Sequence, residues 1–196
     1  PEEDEPPAQP HAIQQTALAA LADTRRQGWR RGLVVLATGL GKTWLAAFDA
    51  QQMAAQRILF VDHRDEILNQ AAATFLRVRP RSRVGFYNGR SRDIEADLLF
   101  ASIQTLGRTA HLDRFPPTHF DYIVIDEFHH AAAYSYQRLL HYYQPQILLG
   151  LTATPERMDG KDILQYFGGH ATAELRLPEA IERSMLCPFH YFGVSD

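Results

Sequence analysis

Two clusters of residues, 84 positions apart, have types and spacing suited to chemistry: Gly39-Leu40-Gly41-Lys42-Thr43 and Asp126-Glu127. A phosphate chain needs several inward-pointing N–H groups, and glycines let the backbone curl around it without Cβ clashes. Residues Thr38, Gly39, Leu40, Gly41, Lys42 and Thr43 therefore form a candidate cradle for the phosphates of ATP. Lys42 can bridge the β- and γ-phosphates, and the Thr43 hydroxyl can ligate Mg²⁺. The longer form of such a loop has a further glycine five residues before Gly41, where this chain has Leu36, so the match is to the shortened form. Such a cradle also needs a carboxylate for the metal and a group to orient the attacking water. Asp126 would hold Mg²⁺ through water, and Glu127 would polarise the hydrolytic water as general base.

The surrounding pattern supplies elements able to position both clusters. Leu33–Ala37 is a short apolar, β-branched run, as expected of a strand buried on both faces, and residues 43–55 are Ala-rich and helical. A loop between them sits at a helix N-terminus, whose partial positive charge favours anions. Tyr122–Ile125 is another apolar strand, with the two acids at its C-terminal end. Further strands are expected at Ile58–Val61, Val84–Tyr87, Leu98–Ala101 and Ile147–Leu151. Helices are expected from His11 to about Gln27, at Asp65–Leu76 and at Ala131–Tyr143. Alternation at this pitch predicts an α/β fold with a doubly wound, mostly parallel sheet. In such a sheet the crevice lies at the carboxyl ends of the strands, where both clusters fall. After Thr154 the pattern changes. Short helices are expected at Asp162–Phe167 and Glu179–Met185, and residues 189–194 are expected to begin a strand belonging to something further on.

Composition narrows the class without choosing a partner. The chain has 196 residues, 45% apolar and 22% charged, about one domain with enough apolar material for a core. Its net charge of −3 is misleading, because Glu2, Glu3, Asp4 and Glu5 lie in the Pro-rich start. The other 186 residues carry 20 basic and 19 acidic groups, so charge neither demands nor excludes nucleic acid. Lys42 is one of only two lysines, with Lys161. No run of 18 apolar residues encodes a membrane span, and no signal peptide is evident. The single cysteine, Cys187, permits no internal disulfide, which makes a reducing, cytoplasmic setting the expectation. Lacking an initiator Met, the chain is expected to be processed or part of something longer. Residues 1–10 read as an acidic linker or tail.

The ordered motifs resemble those of superfamily 2 helicases and translocases, which are P-loop NTPases. Ala37–Thr43, Asp126-Glu127-Phe128-His129 and Leu151–Arg157 are similar to motifs I, II and III, the second in its DExH form. Phe60–Leu68 resembles motif Ia, Ala101–Leu106 the Ib region, and Ile13–Leu18 the Q-type entry motif. The resemblance implies a first RecA-like domain over residues 11–158, with 159–196 leading towards a second such domain. It implies that Gln14 reads adenine and that Thr152 and Thr154 couple nucleotide state to nucleic-acid grip; His129, three residues after Asp126, is expected to join that coupling by touching the next motif. A satisfied structural role for His129 stays open; His129 and His130, adjacent on a short turn, make poor metal co-ligands. Arg64, Gln104 and Thr105 are the expected nucleic-acid contacts.

The His63-Arg64 pair, the Ile103-Gln104-Thr105 run and the Thr152-Ala153-Thr154-Pro155-Glu156-Arg157 form are most like the DNA-directed branch that includes type I and type III restriction motor subunits, so double-stranded DNA is the expected partner. A DExH-type RNA helicase and a nucleotide-gated binding module that never translocates are the alternatives. Motifs IV to VI are absent from the chain, including the one that carries the arginine finger. The isolated domain is therefore expected to bind ATP and hydrolyse it weakly. Two features stay open. Arg77, Arg79, Arg81 and Arg83 either contact phosphates or form a solvated loop. Tyr134, Tyr136, Tyr142 and Tyr143 are expected to pack on the sheet or cap its surface, with no assigned function.

Overall fold

The computed structural model describes residues 7–37, 39–128 and 133–153, together with the backbone of the strands at 172–176 and 190–194. The apolar runs become β1 (Arg31–Val35), β2 (Ile58–Asp62), β3 (Val84–Tyr87), β4 (Leu98–Ser102), β5 (Tyr122–Ile125) and β6 (Ile147–Thr152). These six pair in parallel, and β7 (Thr172–Arg176) and β8 (His190–Val194) extend the sheet to the order β3-β4-β2-β5-β6-β1-β7-β8. β7 runs parallel to β1, and β8 runs antiparallel to β7.

The helices are α1 (Ala12–Arg26), α2 (Lys42–Gln52), α3 (Asp65–Val78), α4 (Ile103–Leu106), α5 (Thr109–Leu112) and α6 (Tyr134–Tyr142). Successive strand residues face opposite sides of a sheet, and here both sides are buried. Val34, Phe60, Phe100, Val124 and Leu149 pack beneath α1, α2 and α3. Leu33, Leu59, Leu99, Ile123 and Leu148 pack against Leu106, Leu112 and Leu139 of the short helices and α6. The register keeps like faces together: Leu59 lies opposite Leu99 on one neighbour and Ile123 on the other. A fully buried leucine or phenylalanine contributes roughly 1.5–3 kcal/mol by leaving water. That explains why strands this short can read as plain apolar runs. Among the described residues no helix is long and apolar enough to cross a membrane.

The expected β1 slides two residues towards the N-terminus, which leaves Leu36 and Ala37 to climb towards the phosphate loop. A correction concerns residues 190–194. They do form a strand, but it pairs with β7 in this same sheet instead of starting a separate unit. The β7 segment carries no strand signal in the sequence: Thr172-Ala173-Glu174-Leu175-Arg176 has no apolar run, and its partner β1 lies some 140 residues away. The helices expected at 162–167 and 179–185, and the first residues of the helix expected from Ala131, lie outside the described residues.

Candidate nucleotide site

All six parallel strands of the core end at one edge, and the site is assembled from the segments that leave it. Gly39 and Gly41 have φ of +88° and +80°, a region that suits glycine and turns the chain sharply into α2. Gly41 is the N-cap of α2, and the first turn of that helix carries no acidic residue. The positive end of the helix is thus presented at the loop with no carboxylate of its own to neutralise it.

Gln14 braces this loop from α1. It is buried, its Nε2 donates to the Gly41 carbonyl at 3.3 Å, and its Oε1 accepts from the His11 N–H at 3.0 Å. At φ +80° a side chain on Gly41 would be strained, and its Cβ, 2.6 Å from that Nε2, would displace the Gln14 amide. His11 completes a capping box at the start of α1, and its Nε2 lies 3.3 Å from the Leu40 carbonyl. The amide of Gln14 retains one N–H and one lone pair beyond these bonds. His11 was missed in the sequence; a histidine cap is an uncommon choice beside Ser, Thr, Asp or Asn.

Lys42 and the two acids meet. Lys42 Nζ donates to Glu127 Oε1 at 3.4 Å and lies 3.6 Å from Asp126 Oδ1. Asp126 is buried, and its carboxyl pKa is raised to about 6. Burial is the largest cause; the charges of Asp62 and Glu127 push the same way, while Lys42 and the hydrogen bond from the Glu127 N–H oppose them. Glu127 adopts φ +53°, a left-handed conformation costly for a residue with a Cβ. The next residue holds this turn down. Phe128 is fully buried against Gly150 of β6, where a Cβ would come within 2.6 Å of its ring.

A third carboxylate, given no role in the sequence reading, joins this group. Asp62 at the end of β2 has no exposed side-chain surface. Its Oδ1 accepts from the Arg64 N–H at 2.8 Å and lies 3.4 Å from His63 Nδ1 and 3.6 Å from Arg64 Nε. Its Oδ2 has no hydrogen-bond partner among the described residues, and neither has the buried hydroxyl of Tyr136 on α6. The Tyr136 pKa is raised by burial first and then by the charges of Asp62, Asp126 and Glu127.

The expected nucleic-acid residues separate. Arg64 is half-exposed, and its Nη2 lies 3.8 Å from Glu127 Oε1. Gln104 is exposed and donates to the His63 carbonyl at 2.8 Å, tying the loop after β4 to the loop after β2. Thr105 points inward; it is buried and its hydroxyl accepts from Ser102 at 3.1 Å. Thr152 is buried at the end of β6, where its carbonyl accepts from the Leu36 N–H at 3.0 Å beside the phosphate loop. Thr38, His129 and Thr154 lie outside the described residues. Of the arginine series, Arg79 donates to the Ala55 carbonyl and Arg83 pairs with Asp97, both at the opposite edge of the sheet. Tyr136 and Tyr143 pack in the core, while Tyr134 is 72% exposed beneath the Arg138 guanidinium.

Comparison with known proteins bears on this arrangement. The family described as "Type III restriction enzyme, res subunit" matches residues 8–157. The chain is 34% identical over 198 residues to IRC3 of Saccharomyces cerevisiae, a protein named as an ATP-dependent helicase, covering 92% of this chain and 28% of that protein. It is 28% identical over 192 residues to the type I restriction enzyme EcoAI endonuclease subunit of Escherichia coli, covering 92% of this chain and 23% of that one. The chain thus spans about a quarter of the length of these relatives. The crystal structure of the Pyrococcus furiosus Hef helicase domain shares the fold, with a TM-score of 0.65 at 24% identity over 85% of this chain and 38% of that one.

Proposed function

The chain belongs to the family of type III restriction enzyme res subunits, and from that premise we propose that it is the ATP-binding RecA-like half of an ATP-dependent DNA helicase or translocase. The observation that carries the reading is the meeting of Lys42, Asp126 and Glu127 at the glycine-lined N-terminus of α2. A lysine held 3.4–3.6 Å from two acids is a placeholder pair. Triphosphate oxygens offer Lys42 more negative charge than either carboxylate and draw it towards the loop.

The roles of the chain's own residues follow. The N–H groups of the loop and the first turn of α2 would hold the phosphates. Lys42 would neutralise charge as the terminal phosphate departs, and Glu127 would accept a proton from the attacking water. Gln14, bonded to the Gly41 carbonyl, would use its remaining donor and acceptor on the edge of a base. Mg²⁺ fits this donor set: Asp126 is a buried hard oxygen ligand, and Thr43 stands on the first turn of α2. When bound, the metal would supply charge screening to the phosphates. The carbonyl link from Thr152 to Leu36 gives β6 a direct hold on the approach to the loop.

Duplex DNA as the track is supported by the restriction-enzyme names of the family and of the Escherichia coli relative. A second RecA-like domain, bringing an arginine to the phosphates from across a cleft, would complete the motor. The test is ATP turnover by the protein joined to that second domain. Lys42→Ala should lower kcat by about 100-fold or more, as expected for loss of a charge that stabilises the transition state. Glu127→Gln should lower kcat comparably while leaving ATP affinity intact. Duplex DNA should stimulate the wild type, and RNA should not. Turnover that survives Lys42→Ala, or that responds to RNA alone, contradicts the reading.

A further inference from the structure

We propose that Arg64 is a positioning residue that restrains Glu127 until a nucleic-acid phosphate takes its guanidinium. The proposal rests on the reading of Glu127 as the base and adds how that base is held and released. Three contacts carry it. Arg64 Nη2 lies 3.8 Å from Glu127 Oε1, and Arg64 Nε lies 3.6 Å from Asp62 Oδ1. Asp62 also accepts the Arg64 backbone N–H at 2.8 Å, so one buried carboxylate fixes both the main chain and the side chain of this residue.

The same Glu127 oxygen is shared by Lys42 and Arg64. When triphosphate draws Lys42 away, Arg64 stays within ion-pair distance of that oxygen. A carboxylate oxygen turned towards a guanidinium is not aimed at the attacking water, and a base must lie within hydrogen-bond reach of the proton it takes. Arg64 therefore keeps the base quiet while nucleotide is bound and nucleic acid is not.

The release follows from exposure. The Arg64 side chain is 45% exposed, whereas Glu127 is 21% and Asp62 is 0%. The guanidinium is thus the member of the group that a ligand in solvent can reach. Its five donors in a fixed fork match a phosphodiester bidentately, a better match than two separate single contacts at 3.6 and 3.8 Å. Gln104 holds the His63 carbonyl from the neighbouring loop, so a backbone seated on Gln104 and Arg64 bears on one braced unit. Withdrawal of Arg64 strips Asp62 of a counter-charge, and the second oxygen of Asp62 already has no hydrogen-bond partner among the described residues. The buried carboxylate then pulls the arginine back when nucleic acid leaves.

The experiment uses the protein joined to its second RecA-like domain and reads kcat and KM for ATP without nucleic acid and at saturating duplex DNA. An ion pair at this exposure is worth up to about 1 kcal/mol. Arg64→Ala should therefore raise the DNA-free kcat roughly two- to fivefold, with KM for ATP unchanged. The ratio of DNA-stimulated to DNA-free kcat should shrink, and saturating DNA should not restore it. Arg64→Gln, closer in shape, should behave alike and reads the same quantity if the alanine variant does not fold. A DNA-free kcat at or below wild type, with full stimulation regained at higher DNA concentration, makes Arg64 a phosphate contact alone and overturns the proposal. Glu127→Gln separates the two levels: wild-type turnover in that variant removes the base assignment itself, whereas its loss with an unchanged DNA-free kcat in the Arg64 variants removes only the restraint.

Discussion

At the amino edge of the sheet Asp49 of α2 accepts from both Arg25 of α1 and the Tyr122 hydroxyl of β5. Nearby, Asp121 takes the N–H groups of Gln56 and Arg57 at 2.8 and 3.0 Å, and Asp97 pairs with Arg83. At the carboxyl edge the same residue types are left wanting. Asp126 is buried with a raised pKa, Asp62 has an oxygen without a hydrogen-bond partner among the described residues, and Glu127 sits at positive φ. Buried charge is tolerated when its partners are in place and is costly when they are not. The amino edge therefore spends its charges on holding α1, α2 and the sheet together. The carboxyl edge holds its acids with longer contacts to Lys42 and Arg64, at 3.4–3.8 Å, and leaves one oxygen of Asp62 without a hydrogen-bond partner among the described residues, an arrangement that a ligand can complete.

The contrast predicts opposite responses to similar substitutions. Asp49→Ala leaves the Arg25 charge and the Tyr122 hydroxyl buried without their acceptor. It should destabilise the fold by about 3–5 kcal/mol in denaturant unfolding, with nucleotide affinity little changed in the protein that remains folded. A loss under 1 kcal/mol would remove the distinction between the two edges.

A smaller effect belongs to Asp126. Its folded pKa of about 6 lies above the usual carboxylate value, so the folded protein binds the extra proton between about pH 4 and 6. The contribution of this group to stability is then greatest below pH 4, falls as pH rises to about 6 and is flat above it; a change of roughly 1–3 kcal/mol is expected. Asp126→Asn should erase that slope in melts across the range. Affinity for Mg²⁺-ATP should run the other way and weaken as pH drops through about 6, because a protonated carboxyl is a poor metal ligand. Binding that is level from pH 5 to 8 would contradict it.

The smallest effect is expected at Asp62. Asp62→Asn keeps an oxygen for the Arg64 N–H and removes a charge that burial penalises. Stability should move by less than about 1 kcal/mol in either direction, in contrast to Asp49. A fall as large as that of Asp49→Ala would place Asp62 among the groups that hold the fold.

The parts that could be read from sequence are those in which local chemistry is sufficient. Strands buried on both faces appear as runs such as Ile58–Phe60 and Tyr122–Ile125, and the phosphate loop declares itself through Gly39, Gly41 and Lys42 at fixed offsets. The meeting of Lys42 with Asp126 and Glu127 follows from placing both at strand ends of a parallel sheet. What escaped depends on distant packing. Asp62 looks like any acid closing a strand; its burial comes from the segments gathered around it, and its charge acts on Tyr136 of α6, some seventy residues on. The sequence points Arg64 at phosphate alone, because its pairing with Glu127 spans 63 positions. Thr105 was paired with Gln104 by adjacency, yet the single turn of α4 sends one outward and the other to Ser102.

Calorimetric titration of Mg²⁺-ATP into this chain and into its Lys42→Ala variant tests the central claim most directly. The account predicts one binding event per chain in the wild type and at least about a tenfold loss of affinity in the variant, with both proteins equally folded by circular dichroism. A wild type that takes up no nucleotide, or a variant that binds as tightly, would contradict it.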